Sequence, residues 1–252
     1  MKIITFRKQL AYINFKLILC VVLMAIFSCK SPSKKSDNQG SLISMFNGEN
    51  LVNWKGDPRI WSVEDGCIVG KTTSENTIEQ NTFLIYQDSF ADFELTFQYK
   101  IIGGNSGVQY RSKVLDEELF IVGGYQADME AGINYSGILY EEKGRGILAL
   151  RGEQVKIDSD GKKTVDQFSK ADIIEAVINK EQWNDYRIIA DGNHLQHFIN
   201  GIKTIDVMDD EKEKKSSSGI IALQVHKGPD MTVYYKDIKI NVLNNKALSN
   251  EY

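Results

Sequence analysis

The chain has 252 residues, of which 42% are hydrophobic and 25% are charged, and its formal net charge at pH 7 is -4. This hydrophobic content is enough for a folded core. A mixed and slightly acidic charge argues against a nucleic-acid partner, because phosphate binding requires a basic surface. With three cysteines, the chain also lacks the material for a disulfide framework.

The chain begins with the pattern of an export signal. The basic side chains of its first segment are Lys2, Arg7, Lys8 and Lys16. The apolar stretch that follows, residues 17–27, is too short to span a bilayer comfortably. Ser28 and Cys29 then resemble a bacterial lipobox, although Phe27 is bulkier than the usual residue there. We expect residues 1–28 to be a signal peptide and Cys29 to be lipidated, with a plain signal peptide or a membrane anchor as the alternatives.

A polar tether is expected between the lipid and the domain. Residues 29–41 are rich in Ser, Lys, Asp and Asn, a composition typical of a flexible spacer. Cys20 is lost with the leader and Cys29 carries the lipid, so Cys67 remains alone and is expected to be a packed core thiol. The sequence thus predicts an exported lipoprotein of the bacterial cell envelope, in the periplasm or on the outer membrane, held to the membrane by its lipid anchor.

The rest of the chain predicts one all-β domain over residues 42–243, followed by a tail at 244–252. Residues 93–101 alternate apolar and polar side chains, which is the two-residue period of a half-buried strand. The other predicted elements are a hairpin at 61–69, a three-stranded meander at 186–207 with Asp-Gly and Asn-Gly turns, a closing pair of strands at 219–226 and 231–242, and one helix at 169–179. Many strands with one short helix favour an antiparallel β-sandwich or jelly roll.

Three stretches place unusual polar side chains on predicted strands: 103–111, 124–128 and 223–226. A strand with one wet face ordinarily exposes Lys, Glu and Thr, whereas these stretches carry Asn, Gln, Arg and His. Amide and guanidinium groups are suited to bind hydroxyl groups. We therefore expect a sheet whose concave face holds a sugar.

Seven motifs carry a family resemblance over residues 42–242. In chain order they are Phe46-Asn47-Gly48-Glu49-Asn50-Leu51-Val52-Asn53-Trp54, Trp61-Ser62-Val63-Glu64-Asp65-Gly66, Asn105-Ser106-Gly107-Val108-Gln109-Tyr110-Arg111, Gly124-Tyr125-Gln126-Ala127-Asp128, Trp183-Asn184-Asp185-Tyr186, Asn200-Gly201 and Leu223-Gln224-Val225-His226-Lys227-Gly228. Together they resemble the 3-keto-disaccharide hydrolase family. The resemblance implies a concanavalin A-like, two-sheet jelly roll that acts on glycosides whose glucose unit is oxidised at C3, as a 3-keto-glucoside 1,2-lyase, as a hydratase of the resulting 2-hydroxy-glucal, or as a net hydrolase.

That chemistry requires a base near C2, a donor or cation near the developing enolate oxygen, and an acid for the leaving group. Asp128 and His226 are the candidates for proton transfer, with Glu142 as a further catalytic carboxylate and Glu141 expected beside it near the pocket. Arg111 and Gln126 are expected to face the keto oxygen. The other predicted substrate contacts are Asn105, Tyr125, Tyr140 and Gln224, the two tyrosines as platforms for a pyranose ring.

Structural alternatives stand beside several of these roles. Asp128 and Glu130 lie two apart on one strand face, a spacing similar to that of jelly-roll glycanases, although acids on a surface strand are often merely solvated. Arg111 is equally able to pair with an acid across the sheet. His194 is expected at the surface, and His197, on the opposite face, is a further candidate for metal or substrate. The tryptophans Trp54, Trp61 and Trp183 are expected in the core.

A cofactor and two other functions remain open at the sequence level. A divalent metal ion would polarise the ketone, and Asp128, Glu142 and His226 have suitable donors, but no short His-x-His spacing announces a site. A non-catalytic carbohydrate-binding lipoprotein would need the same amide and aromatic residues. An ordinary retaining glycoside hydrolase is the third possibility and requires two carboxylates about 5 Å apart.

Overall fold

The computed structural model describes residues 41–243, which form seventeen strands and one short helix. In chain order these are β1 (Ser41–Ser44), β2 (Trp54–Lys55), β3 (Trp61–Glu64), β4 (Cys67–Thr72), β5 (Thr82–Phe90), β6 (Phe93–Ile102), β7 (Asn105–Asp116), β8 (Ile121–Glu130), β9 (Leu139–Glu142), β10 (Gly146–Ala149), β11 (Glu153–Ile157), β12 (Lys163–Gln167), α1 (Ala171–Glu175), β13 (Asn184–Asp191), β14 (His194–Ile199), β15 (Ile202–Asp209), β16 (Gly219–Val225) and β17 (Met231–Val242). The predictions for the leader, Cys29 and the tail from 244 lie outside the described residues.

The strands form two sheets. The larger sheet has the order β12-β11-β15-β14-β13-β6-β17-β4-β3, with β1 paired to β17, and the smaller has the order β10-β9-β8-β7-β16-β5-β2. Their inner faces enclose the core, and the alternation along β6 shows the reason: Phe93, Leu95, Phe97 and Tyr99 are buried while their neighbours are half-exposed. The predicted two-sheet jelly roll is therefore confirmed, with one parallel pair, β11 with β15, among antiparallel neighbours.

Several predicted elements are present as expected. The hairpin of β3 and β4 closes at Asp65-Gly66, where both residues have positive φ angles, and β13, β14 and β15 form the predicted meander. Trp54 and Trp61 are buried in the core, as is the free thiol of Cys67. Within residues 41–243, no helix has the length and apolar character of a membrane span.

Three predictions about elements were wrong in detail. The closing strands β16 and β17 do not pair, because they belong to different sheets. The helix is limited to the five residues of α1, whose N-cap residue Lys170 makes no side-chain capping hydrogen bond and which buries only Ile174. Trp183 is half-buried outside the core, where it packs against Lys100 and Tyr234.

Candidate functional site

Alternation along β8 separates core residues from site residues. Tyr125, Ala127 and Met129 point into the core, and this places Gln126 and Asp128 on the outer face of the smaller sheet, with Glu130 beyond them. The neighbouring strand β7 has Gly107 directly opposite Asp128. A Cβ atom at Gly107 would lie 2.6 Å from the side chain of Gln126, so this glycine leaves the space that Gln126 occupies.

A cavity of about 510 Å³ lies over this part of the outer face. Its walls come from β7, β8, β9 and β10 together with the segments beside β5 and β16. The lining residues are Asn81, Gly104, Asn105, Gln126, Asp128, Glu130, Tyr135, Ile138, Tyr140, Glu142, Ile147, His226, Lys227 and Pro229. The structure thus brings six predicted site residues into one cavity: Asn105, Gln126, Asp128, Tyr140, Glu142 and His226.

Asp128 is the most perturbed acid of this cavity. Only 6% of the residue is exposed, and Gln126 Nε2 donates a hydrogen bond of 2.6 Å to its Oδ1. Burial raises the pKa of Asp128 to about 8 from an ordinary value near 3.8; the negative charges of Glu142 and Glu130 add to the rise, and the Gln126 bond opposes it. Asp128 is therefore a neutral acid at pH 7, with Oδ2 left to carry the proton.

Gln126 is held in one orientation by a chain of buried hydrogen bonds. Ser112 Oγ donates to Gln109 Oε1 over 2.7 Å, and Gln109 Nε2 donates to Gln126 Oε1 over 2.6 Å. Because both amide oxygens are engaged as acceptors, the NH₂ group of Gln126 must face Asp128. Its Nε2 also lies 3.3 Å from Gln224 Oε1. Gln224 therefore lies beneath the site and does not line the cavity, and its buried Nε2 has no partner among residues 41–243.

His226 and Glu142 are connected through the rim of the cavity. His226 Nδ1 lies 2.6 Å from the carbonyl oxygen of Lys227, which can only accept, so Nδ1 carries a hydrogen and a neutral ring presents Nε2 as an acceptor. The backbone N–H of Lys227 donates to Asn81 Oδ1 over 2.9 Å, and Asn81 Nδ2 donates to Glu142 Oε1 over 3.3 Å. Asn81 thus links Glu142 to the segment that carries His226.

Glu130 holds the loop that follows β8. Its Oε1 accepts hydrogen bonds from the backbone N–H groups of Asn134 and Tyr135, the latter over 2.6 Å. This carboxylate is thereby committed to backbone donors, and the same contacts place Tyr135 at the cavity. Glu130 lines the site but has a structural task within it.

The structure places Arg111 outside the cavity. The register of β7 with β8 shifts between Tyr110 and Lys113, and Arg111 lies in this irregular segment with φ at 47°. Its guanidinium is buried and forms an ion pair of 2.7 Å with Asp92. Arg111 also donates to the carbonyl oxygens of Ala91 and Gly192. Arg111 therefore pairs with an acid, which is the structural alternative. The expected contact with a keto oxygen in this cavity was wrong, because Arg111 does not line it.

Tyr125 and Glu141 also lie away from the cavity, because alternation turns them to the opposite face from Gln126 and Glu142. The Tyr125 hydroxyl donates to Asp209 Oδ2 over 2.5 Å, and Glu141 pairs with Arg145. Of the two predicted tyrosine platforms, only Tyr140 therefore lines the cavity. The error was in expecting adjacent strand residues to share one surface.

The two histidines of β14 separate as expected. His194 is partly exposed, and its Nε2 lies 2.8 Å from Asp206 Oδ1. His197 is fully buried between the sheets, with Nε2 at 2.9 Å from the Tyr110 hydroxyl. Burial lowers the pKa of His197 to about 3, so it is neutral and structural at physiological pH. It does not reach the cavity as a ligand.

The donors of the cavity do not form a metal site. Among residues 41–243 no group of three or more His, Cys, Asp or Glu side chains is arranged to hold an ion. Asp128, His226 and Glu142 share the cavity, but Glu142 already accepts from Asn81 and Asp128 accepts from Gln126. Among the described residues these side chains are therefore not arranged as a metal site, and no step of the chemistry below is assigned to a metal.

Comparison with known proteins identifies the family. The sequence profile of the 3-keto-alpha-glucoside-1,2-lyase-like domain matches residues 41–241. The chain belongs to this family. The family expected from the seven motifs is thus confirmed, and membership supports a carbohydrate-active role. Among curated proteins, no relative matches the chain.

Solved structures show the same fold as this lyase-like domain. Two crystal structures of candidate glycosyl hydrolases from Parabacteroides distasonis are 20% and 21% identical to it, with TM-scores of 0.52 and 0.53. They cover 81% of this chain each, and 100% and 94% of their own. The carbohydrate-binding module CBM66 from Bacillus subtilis is 14% identical with a TM-score of 0.51, covering 75% of this chain and 95% of its own.

Sequence analysis of this lyase-like domain missed several residues of the site. Gln109 was within a recognised motif but was not proposed for the site, although its period-two position on β7 puts it on the face that carries Gln126. Asn81, Tyr135 and Ile147 lie in segments with no motif of their own. Only the pairing of the strands brings them to Asp128, and a single sequence carries no signal for that.

Proposed function

We propose that the protein cleaves glycosides whose glucose unit carries a ketone at C3, by elimination of the C1 substituent and hydration of the product. The ketone acidifies the C2–H bond, so a modest base can remove that proton. The electron pair forms the C1–C2 double bond, the C1–O bond breaks, and the departing oxygen takes a proton. Addition of water across the double bond then yields the free 3-keto sugar, so that the sum of the two steps is hydrolysis.

The residues of the cavity match these steps. A neutral His226 presents Nε2 as the base for the C2 proton. Asp128, protonated at neutral pH, is the acid that delivers a proton to the leaving oxygen. Asn105 and Lys227 line the same cavity and supply a donor and a positive charge for the enolate oxygen. Glu142 assists by raising the pKa of Asp128, and so keeps it protonated.

The single observation that carries this proposal is the buried carboxyl of Asp128 in a cavity of a lyase-like domain. A carbohydrate-binding protein, the second function considered, has no need of a carboxyl group with a raised pKa. A retaining glycoside hydrolase requires carboxyl groups about 5 Å apart. Glu130, two residues from Asp128 on the same strand face, is held by the backbone N–H groups of Asn134 and Tyr135, so this neighbouring carboxylate is not free to act as a nucleophile. This arrangement favours elimination.

The test is a direct assay of the purified protein. We would incubate it with 3-keto-trehalose and a 3-keto β-glucoside beside their unoxidised parents, and follow sugar release and enone absorbance. Cleavage confined to the keto substrates is the expected result. Binding of these sugars without turnover would instead favour a carbohydrate-binding protein. A chelator arm is expected to leave the rate unchanged, because no step of the proposed reaction is assigned to a metal.

We also propose that the chain is exported and anchored through lipid on Cys29, as the leader pattern predicts. The variant Cys29→Ser is expected to leave the membrane fraction of bacterial cells that express the full chain. Mass spectrometry of the mature N-terminus tests the same point independently. An unmodified Cys29 in the mature protein would overturn the anchor.

A further inference from the structure

The two ends of the cavity differ in chemistry. At one end, Asn105 and the segment after β16, with His226 and Lys227, are polar. At the other end are Tyr140 on β9 and Ile147 on β10, and Tyr135, in the segment between β8 and β9, also lines the cavity. Asp128, on β8, lies between these ends in the order of the strands.

Two residues of the apolar end lie side by side. Ile147 and Tyr140 are direct cross-strand partners, so their side chains lie on the same face of the sheet. Ile147 is 41% exposed and Tyr135 is 43% exposed, and both line the cavity together with the buried Ile138. Single exposed apolar residues are common on protein surfaces. Several apolar residues that line the same cavity as a buried acid instead indicate a binding surface.

The order of the strands sets the distances. Neighbouring strands lie about 4.8 Å apart, so β10 is about 10 Å from β8 on one side, and β16 is about 10 Å from β8 on the other. A sugar ring with its hydroxyls at the polar end would place its C1 oxygen near Asp128. The group attached to that oxygen would then extend over β9 and β10.

The lining of that end does not suit a second sugar. β10 contributes only Ile147 to the lining, and the adjacent residue on the strand is Gly146, so no side-chain donor from β10 meets sugar hydroxyls. The carboxylate of Glu142, on β9, is engaged by Asn81. A flat apolar group would cover Ile147 and the ring face of Tyr140.

We propose that Tyr140 and Ile147 form an aglycone subsite, and that the preferred substrates are 3-keto-glucosides of flat, apolar alcohols. The reaction part of this inference rests on the proposed function, whereas the subsite itself is a binding property. The cavity volume of about 510 Å³ lies within the range of about 300–1,000 Å³ that is usual for a ligand larger than a single ring.

The experiment compares leaving groups that differ in shape but are all aliphatic alcohols. The 3-keto forms of methyl glucoside, 2-phenylethyl glucoside and a glucosyl-glucose disaccharide, all of one anomer, would be assayed for kcat/KM. The 2-phenylethyl substrate is expected to exceed the methyl substrate by at least about tenfold, and the disaccharide to stay near methyl. A preference for the disaccharide, or equal values for all three, would overturn the subsite.

A matched pair of variants assigns the preference to this surface. Ile147→Ser is expected to reduce the ratio of 2-phenylethyl to methyl by about fivefold or more. Val165→Ser, at a position 48% exposed on β12 of the other sheet, is expected to leave the ratio unchanged. If Ile147→Ser leaves the ratio unchanged as well, the subsite lies elsewhere and the inference fails.

Binding of the unoxidised glucosides separates this inference from the proposed reaction. If no keto substrate is cleaved, the reaction is wrong, and calorimetry with 2-phenylethyl glucoside and methyl glucoside still decides the subsite. Tighter binding of the 2-phenylethyl compound that Ile147→Ser weakens would support it. Equal binding of the two glucosides would overturn it.

Discussion

Two groups of carboxylates lie against strands β8 and β9, one on each face of the smaller sheet. On the inner face, Arg145 pairs with Glu141, Asp209 and Glu211, a set that we call the arginine cluster. On the outer face, Asp128 shares the cavity with Glu130 and Glu142 and has no cation as a hydrogen-bond partner among residues 41–243. Glu141 and Glu142 are adjacent on β9 and face opposite groups, whereas Asp209 and Glu211 come from the end of β15 and the segment after it.

The kind of partner decides what each carboxylate does. Burial pushes the pKa of Asp209 up, but hydrogen bonds from Arg145 and Tyr125 outweigh it and hold that pKa below its ordinary value. Asp128 has only the neutral amide of Gln126 as a donor, and burial therefore raises its pKa to about 8. A cation makes a buried carboxylate a structural element, whereas an amide leaves a proton available for chemistry.

The largest expected effect comes from replacing the acid of the outer group. Asp128→Asn keeps an oxygen for the Gln126 hydrogen bond but cannot transfer a proton, so turnover of a 3-keto-glycoside is expected to fall by about 10²–10⁴-fold. Binding of the unoxidised glycoside should remain within a few-fold of the parent protein. Retained turnover in this variant would remove Asp128 from the chemistry.

The same variant has a stability consequence with a defined sign. Because the pKa of Asp128 is raised in the folded state, the native protein binds the proton more strongly, and its stability falls as pH rises from about 4 to about 8. Asp128→Asn does not lose that stability and is expected to be more stable at pH 8 by roughly 2–4 kcal/mol, after reduction for solvent in the open cavity. Urea unfolding at pH 5 and pH 8 measures it, and a difference that does not grow with pH would contradict the raised pKa.

Breaking the arginine cluster is expected to act on stability and not on the chemical step. Arg145→Met leaves Glu141, Asp209 and Glu211 without their shared cation, which should cost about 3–5 kcal/mol in the free energy of unfolding. Arg187→Met, which removes a half-exposed cation 3.6 Å from Glu94, is the matched control and should cost under about 1 kcal/mol. Equal losses of unfolding free energy in the two variants would show that the buried cluster stabilises the fold no more than an exposed ion pair does.

The two-residue period of the strands explains how much of the two faces could be predicted from the sequence. Alternation in residues 93–101 and the Asn-Gly turn were sufficient for β6 and the meander, because both depend on local residues. The faces of adjacent strand residues were harder to predict. Tyr125 and Gln126, and likewise Glu141 and Glu142, are expected at one pocket from the sequence, but the members of each pair face opposite sides of the sheet.

Non-local contacts set the remaining limits of the prediction. The position of Arg111 could not be predicted from the sequence, because it depends on the irregular pairing of β7 with β8. Arg111 lies in that irregular segment with a positive φ angle, and its guanidinium is buried against Asp92. The series of hydrogen bonds from Ser112 through Gln109 to Gln126 crosses from β7 to β8, so neither strand alone predicts it. A period predicts which face a residue takes, and strand pairing determines what it meets there.

A smaller effect is expected from the amide that holds Asp128. Gln126→Met removes the hydrogen bond that lowers the pKa of Asp128, so this pKa should rise by about one unit. If Asp128 is the acid, as proposed, activity is lost above its pKa, and the alkaline limb of the kcat/KM profile is expected to move up by the same amount. Gln87→Met, at an exposed amide bonded to Asn53, is the control. An alkaline limb that stays in place would mean that another group produces it.

The smallest effect concerns a carboxylate that is paired but near solvent. Asp206 lies in the larger sheet, and although burial favours its neutral form, hydrogen bonds from Lys203, His194 and Gln196 lower its pKa to about 2. A lowered pKa contributes stability above about pH 4 that is lost as pH falls through 2.

Asp206→Asn is therefore expected to cost about 1 kcal/mol at pH 7, less than the full shift implies, because Lys203 and His194 are partly exposed and screened. Urea unfolding near pH 2 should show a smaller difference between the variant and the parent than at pH 7. A cost as large as that of Arg145→Met would contradict the rule drawn from the two faces of β8 and β9, since it would mean that exposure of the cation makes no difference to the value of the pair.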